Sequence, residues 1–341
     1  MRFMQFCPAL AQQGIDVIVR PLLPDPYLQD LYAGTRQKVS ALPWSYLQRL
    51  KDLAESKNFD VIWLEKEALP GVPGWLERML FHRPVVLDVD DAWHLRYSES
   101  SNPWFRLLGN KLARIARSAT SVVVANSSMH QWAENAGAQS IHLIPTAIDV
   151  QRYPLTSPPA APFTVGWIGT PSSKPYLDGI QEALQQALSR PDSRLVVIGL
   201  DNYSLPGVHV DLYPWSEEQE AILLQQIHVG IMPLAGGRWE TAKSAYKAIQ
   251  YMAAGRPVIA SPVGANLTVV REHVTGLFAT DQEDWVIAIE KLRNDPSLAA
   301  ELGHAGRKRV EQKYSLESQV AKLALVLNSA AQRKTDCPAS S

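Results

Sequence analysis

Three segments of the chain hold residues whose types and spacing could do chemistry. The first reads Val85-Val86-Leu87-Asp88-Val89-Asp90-Asp91-Ala92-Trp93-His94, an apolar run that closes on three carboxylates and a histidine. Acids gathered at a strand end repel one another unless a cation or ligand answers them. Asp90 and Asp91 could face a ligand crevice at the strand end, cap a following helix, or hold a divalent cation. His94 is a further acid–base candidate or a hydrogen-bonded bystander. The second segment reads Val165-Gly166-Trp167-Ile168-Gly169-Thr170-Pro171-Ser172-Ser173-Lys174. It is a strand running into a turn of small residues, with a helix from about Pro175. Glycine lets backbone approach a ligand closely, and such turns aim N–H groups at anions. Gly169, Thr170 and Lys174 are its candidates.

The third segment runs from Pro233 to Gly264. A loop, Ala235-Gly236-Gly237-Arg238-Trp239-Glu240, leads into a helical pattern over Thr241–Ala254 that stops at Gly255. At about 100° per residue, Ala245, Ala248, Ile249 and Met252 share an apolar face. Lys243, Lys247 and Gln250 fall opposite. Two cations near a helix N-terminus suit a diphosphate, although a solvated charged face gives the same pattern. Glu65-Lys66-Glu67 follows another apolar run and reads either as part of a site or as a salt-bridged loop.

Those segments need strands to present them. Short β-branched runs alternate with helical periods, which predicts parallel sheets wrapped by helices. The first half places strands at Asp16–Arg20, Val61–Leu64, Val85–Leu87, Val122–Ala125 and Ile141–Ile144, with helical segments at Trp44–Ser56 and Trp104–Ser118. The Pro-rich stretch Tyr153–Pro162 reads as an interdomain linker. The second half places strands at Thr164–Ile168, Arg194–Ile198, Val208–Leu212, Val229–Met232 and Val258–Ala260. Helices follow at Asp284–Arg293, Ser297–Lys313 and Leu316–Ala331. The chain opens on helical material around Phe3, Phe6 and Leu10, where a doubly wound domain normally opens on a buried strand. An opening strand is therefore expected to be missing, with an in-frame extension upstream of Met1 or a truncated gene as the explanations.

Composition narrows the classes. The chain has 341 residues and a formal net charge of -1. That balance excludes the basic footprint of a nucleic-acid binder. No apolar run has the length of a membrane span and no secretory signal opens the chain, so the expected location is cytoplasmic. Cys7 and Cys337 are the two cysteines, and Cys337 sits in a polar tail, so no structural disulfide is expected. Arg106, Lys111, Arg114 and Arg117, interleaved with leucines and Ile115, form a basic amphipathic pattern. It reads either as weak peripheral contact with the inner membrane face or as a surface helix packed on its own sheet.

The run Gly255-Arg256-Pro257-Val258-Ile259-Ala260-Ser261-Pro262-Val263-Gly264, behind a helix and Pro233-Leu234, resembles the donor-domain signature of glycosyltransferase group 1, or family 4. The resemblance continues through Val274-Thr275-Gly276-Leu277-Phe278 and into Tyr314-Ser315. It is looser in Val124-Ala125-Asn126-Ser127 and Ile144-Pro145-Thr146-Ala147-Ile148-Asp149, where Thr146 and Ala147 replace the family's Asn and Gly.

The resemblance implies a GT-B fold, α/β, with two Rossmann-like doubly wound domains facing across a cleft. Residues 1–152, completed by a helix at about 316–333, would form the acceptor-side domain, residues 163–315 the donor domain, and 334–341 a disordered tail. It implies transfer of a hexosyl group from a nucleotide-diphosphate sugar, with retention, to a glycan, lipid or small-molecule acceptor, as in cell-surface polysaccharide biosynthesis. No metal and no cofactor beyond the co-substrate are implied. Gly169, Thr170, Lys174, Lys243 and Lys247 would hold the diphosphate, Glu240 and Gln250 the sugar and ribose, and Asp90, Asp91 or His94 would act at the acceptor. The family's pair of glutamates falls at Ala242 and Gln250, so both carboxylates are absent. A sugar-nucleotide epimerase and a silent binding scaffold are the alternatives.

Overall fold

The computed structural model describes residues 2–23 and 42–333, so the expected tail at 334–341, with Cys337, lies outside the described residues. The chain packs as two compact units, residues 1–145 with 320–341 and residues 146–319. The division after Pro145 falls ahead of the expected linker at Tyr153–Pro162. That stretch belongs to the second unit. Tyr153 is 1% exposed and bonds Glu220, and the Arg256 guanidinium holds the Thr156 carbonyl at 2.9 Å. Beyond Tyr153 the stretch is mostly exposed, with Leu155 at 53%, and the guanidinium supplies part of its backbone bonding.

The first unit holds four parallel strands, β1 (Ile62–Glu65), β2 (Val85–Val89), β3 (Ser121–Val124) and β4 (Ile141–Leu143), in that spatial order. β2 and β3 are buried throughout, which is why they read as unbroken apolar runs. Helix α1 (Arg2–Ala11) turns Phe6 and Leu10 inward. The strand expected at Asp16–Arg20 does not form. Ile18 and Val19 are exposed, and no described strand pairs with this segment. A β-branched run without a neighbour to satisfy its backbone stays irregular. After α1 come the helices α2 (Leu42–Glu55), α3 (Gly74–Leu80), α4 (Leu95–Ser98), α5 (Pro103–Leu107), α6 (Lys111–Ser118) and α7 (Ser127–Ala136). The helix expected over Trp104–Ser118 is thus two, with Asn102 capping the first through the Trp104 N–H.

The second unit holds six parallel strands in the order β10-β9-β8-β5-β6-β7. They are β5 (Phe163–Ile168), β6 (Ser193–Ile198), β7 (His209–Tyr213), β8 (Val229–Met232), β9 (Val258–Ala260) and β10 (Gly276–Phe278). The order reverses between β6 and β8 around the central β5, and a sheet of this kind takes its ligand at the carboxyl ends beside such a switch. Helices α8 (Lys174–Asp178) and α9 (Gln181–Leu188) follow β5, and α10 (Glu217–Gln225) follows β7.

The helix expected over Thr241–Ala254 is broken. α11 (Arg238–Thr241) ends, residues 243–245 are irregular, and α12 (Tyr246–Ala253) begins after Ala245, whose φ is 56°. An alanine in the left-handed region is strained, and sequence periodicity carries no sign of it. Gly255, at φ 70°, ends α12 as expected. Helices α13 (Asn266–Val269), α14 (Gln282–Asn294), α15 (Pro296–Lys313) and α16 (Leu316–Gln332) complete the chain.

Candidate functional site

The carboxyl end of β5 is built around Tyr251. This residue of α12 is fully buried, and its hydroxyl accepts the Ile168 N–H at 2.9 Å and donates to the Ile231 carbonyl at 3.2 Å. Those two bonds lock α12 onto the last residue of β5. Gly230 makes room for the ring, since a Cβ there would strike it. Lys247 lies one turn before Tyr251 on the same helix face, so the lock carries its ammonium to the turn after β5. The Nζ stands 4.6 Å from the Trp167 ring centroid. A Cβ on Gly169 would lie 2.8 Å from that Nζ and would overlap the Trp167 ring. Only glycine fits. The turn is closed from the other side by Gly199, at φ 94°, where a Cβ would strike the Gly169 carbonyl.

Lys247 is therefore not on a face opposite the core, as helical periodicity predicts. Burial, aided by the neighbouring Lys243, pulls its pKa down to about 7. Among the described residues no carboxylate pairs with it. A half-buried, crowded ammonium without a counter-charge, beside a glycine turn and the start of a helix, is a place where an anion lowers the free energy.

Tyr176 gathers further candidates. Its hydroxyl bonds the Glu240 carboxylate, which with burial raises its pKa. Lys243 lies 4.2 Å over its ring. Glu240 and Lys243 thus meet at one tyrosine that the sequence did not mark. Thr170 bonds within its own turn, 2.9 Å to the Ser172 hydroxyl. Two candidates are held elsewhere. Lys174 is neutralised by Asp178, at 2.7 and 2.9 Å, and lies over Tyr203. Gln250 is 3% exposed and hydrogen-bonds Tyr153, so it is turned into the core beside Glu220. A cavity of about 620 Å³ lies at the opposite, amino ends of β5, β6 and β7, lined by Arg190, Arg194 and His209. Both arginines are already ion-paired, to Glu290 and Asp211, and the switch-point rule favours the carboxyl end.

The carboxyl ends of β1 and β2 in the first unit gather the acids. Asp88 is 2% exposed, 3.0 Å from Arg2 Nε and 3.2 Å from Trp63 Nε1. Burial pushes its carboxyl up to about 6 despite that arginine. Asp90 and Asp91 face Lys66, whose Nζ lies 3.0 and 3.3 Å from their oxygens. Lys66 holds a left-handed φ of 60° and also lies 4.7 Å from the Trp93 ring. A strained lysine that bridges two acids is a feature spacing alone could not give. His94 stacks on Trp132, centroids 5.1 Å apart. Neither Asp90 nor Asp91 accepts an amide of a following helix in the manner expected of a cap.

Next in sequence, Glu67 faces the opposite way. It accepts Trp93 Nε1 at 2.6 Å, the Tyr97 hydroxyl at 2.5 Å and Lys111 Nζ at 2.6 Å. Lys111 also meets Glu77 at 2.5 Å, and neither side chain is exposed. Of the two readings of the basic amphipathic pattern, the packed helix is the one that fits, since Leu112, Ile115 and Ala116 are buried and Lys111 is a buried ion-pair partner and not part of an exposed basic face. Glu65-Lys66-Glu67 is thus a salt-bridged loop at the site's edge. Among the described residues no group of three or more His, Cys, Asp or Glu side chains is gathered to hold a metal ion. None of their helices is long and apolar enough to cross a membrane.

Two parallel α/β units in one chain, the second with a glycine turn and a lysine at its switch point, define the GT-B class. A model of "Glycosyl transferases group 1" matches residues 162–295, and one of a "Glycosyl transferase 4-like domain" matches residues 2–147. The chain belongs to the group 1 glycosyltransferases. It is 24% identical over 251 residues to TuaH of Bacillus subtilis, named for a glycosyltransferase of teichuronic acid biosynthesis. That match takes in 65% of this chain and 62% of the relative's own length. Sucrose-phosphate synthase from Thermosynechococcus elongatus superposes with a TM-score of 0.68 at 17% identity, covering 95% of this chain and 91% of its own. HepE of Anabaena, solved with UDP-glucose, gives 0.65 at 20% identity, covering 94% and 88%.

Proposed function

We propose that this protein transfers a hexosyl group from a nucleoside-diphosphate sugar to a hydroxyl acceptor. The observation that carries this reading is Lys247, an ammonium without a counter-charge pressed against the Gly169 turn. Family membership and the UDP-glucose bound by HepE supply the donor class. The diphosphate would lie over Gly169 and Thr170, near Lys247, Lys243 and the first amides of α12. As the bond from the sugar's anomeric carbon to the diphosphate breaks, negative charge grows on the leaving oxygen. Fixed cations and a helix N-terminus stabilise that charge without reorganising. The acceptor oxygen takes the anomeric carbon, and its proton passes to the departing phosphate. In this reading the lysines do the work a metal does elsewhere, and configuration is retained.

Asp90 and Asp91, held by Lys66, would orient the acceptor hydroxyl. A glycan acceptor on the cytoplasmic side is the proposal best supported, by the polysaccharide pathway in TuaH's name. Lys174 and Gln250 are left out of the donor site because Asp178 and Tyr153 already engage them. The test is calorimetric titration with UDP, GDP and ADP, followed by transfer from the matching glucose donors. Binding of one diphosphate that is lost in Lys247→Ala, with product released only when an acceptor is added, supports the reading. Turnover of the donor without any acceptor would instead favour epimerisation. The anomeric configuration of the product, read by proton coupling, decides retention.

A further inference from the structure

Three helices of the first unit expose the side chains that helices normally hide. α2 has 14 residues and buries only Leu53, while Trp44, Leu47 and Leu50 stand outward at three-residue spacing, 74%, 50% and 42% exposed. α3 exposes Trp75, Leu76 and Met79. α5 buries nothing and exposes Trp104 and Leu107, the latter 79% exposed. An amphipathic helix turns such a stripe toward its core. Outward stripes on adjoining elements mark an interaction surface.

The three helices meet at one turn. The Tyr46 hydroxyl of α2 donates to the Pro70 carbonyl at 2.6 Å, and Trp104 Nε1 of α5 donates to the Gly71 carbonyl at 3.0 Å. That turn leads directly into α3 at Gly74. Gly74 itself is packed on α6, where a Cβ would lie 2.9 Å from the Lys111 carbonyl. The aromatic rings are thus held outward by fixed backbone.

The charge set among them is mostly basic. Lys51, Arg78, Arg106 and Arg114 are exposed among the apolar side chains. The acid of α3, Glu77, is fully buried and bound to Lys111, and α5 has no acid. Asp52 and Glu55 lie in the last turn of α2, where Asp52 bonds Gln48 and Glu55 meets Arg20. Exposed tryptophans set among arginines, with the acid of α3 buried and those of α2 held at its last turn, match the interface of an anionic bilayer. Indoles settle at headgroup depth and cations meet the lipid phosphates.

We propose that the surface formed by α2, α3 and α5 docks this protein on an anionic phospholipid bilayer. This differs from the basic-helix expectation, because tryptophans on three helices carry it and Lys111 takes no part. It stands apart from the transfer reaction, so either can fail alone.

The experiment is co-sedimentation of the full chain with vesicles of phosphatidylcholine alone or with added phosphatidylglycerol. Wild type is expected to sediment with the anionic vesicles, to release as salt rises, and to blue-shift its tryptophan emission. Arg78→Glu with Arg106→Glu should weaken binding roughly twentyfold or more, since each basic residue near the surface contributes about fivefold. Trp75→Ser with Met79→Ser should weaken binding and lessen the blue shift. Thermal unfolding of both variants should stay near wild type, because the side chains are exposed. Equal binding to neutral vesicles, or unchanged binding by both variants, overturns the proposal. So does failure to sediment together with self-association that the serine variant abolishes, since a second copy would then cover the surface.

Discussion

The carboxyl ends of β2 and β5 both end parallel strands and both collect charged side chains, but they settle that charge differently. At β2 every acid has a cation from the same unit: Arg2 for Asp88, Lys66 for Asp90 and Asp91, Lys111 for Glu67 and Glu77. At β5, Lys247 faces Lys243 and Trp167, and no described carboxylate answers it. The first arrangement is largely paired within its own unit, although Lys66 is shared by two acids and one buried oxygen each of Asp90 and Asp91 has no hydrogen-bond partner. The second leaves an ammonium without a counter-charge, which in the proposed reading an anion would supply. Charge density in the sequence draws attention to the acid cluster, which is largely paired, while a single lysine in a helical pattern stands without a carboxylate among the described residues.

Breaking the closed side should give the largest effect. Lys111→Met leaves two carboxylates buried side by side, and losing one partner of such a pair costs about 3–5 kcal/mol. The first unit should unfold at lower denaturant, read by fluorescence of its tryptophans, while nucleotide affinity of the second unit holds. Breaking the open side should barely touch stability. Lys247→Ala removes a charge-assisted contact to the diphosphate, about 1.5–3 kcal/mol of binding, or roughly ten- to a hundredfold in Kd. Thermal stability without ligand should stay level or rise, because the free protein no longer holds a crowded ammonium. Gly169→Ala sharpens the same point without changing charge. Its methyl group overlaps Trp167 and Lys247, so affinity should fall at least about tenfold, with an overpacking cost of about 1–3 kcal/mol.

Much of this was legible and some was not, for physical reasons. β2, β3, β5, β6 and β8 were readable because central parallel strands are apolar runs with few alternatives. Gly169 stood out as the glycine of the first turn of a new α/β series. The break at Ala245 did not, since an alanine at positive φ leaves no trace in a periodic pattern. Without that break, periodicity puts Lys247 and Gln250 on the face opposite the core, where a diphosphate site and a solvated face look alike. Lys111 read as a surface cation because its partners, Glu67 and Glu77, lie more than thirty residues away and only the fold brings them close. Tyr176 and Lys66 were missed as organisers because nothing in their neighbours' spacing predicts a ring under Lys243 or a left-handed lysine.

The smallest expected effects separate the two ends by function. Asp90→Asn and Asp91→Asn should each lower kcat several-fold, with KM for the donor unchanged. Lys66→Met should show a weaker form of the same pattern and a shifted pH profile, because it frees the acid pair without removing it. Unchanged turnover in all three variants would take this loop out of the mechanism.

The central claim is that Lys247 awaits a diphosphate. Its pKa lies near 7 in the free protein, so above that pH it is largely neutral and must take up a proton to meet the anion. Affinity should therefore weaken as pH rises from about 7 toward 8.5, with the phosphates already ionised. The direct measurement is titration of the wild-type protein and Lys247→Ala with the diphosphate that binds best, at pH 8, in two buffers of different ionisation enthalpy. The account predicts net proton uptake on binding to the wild type, and weak binding without uptake in the variant. Equal affinity in the two proteins, with no buffer dependence in either, would contradict it.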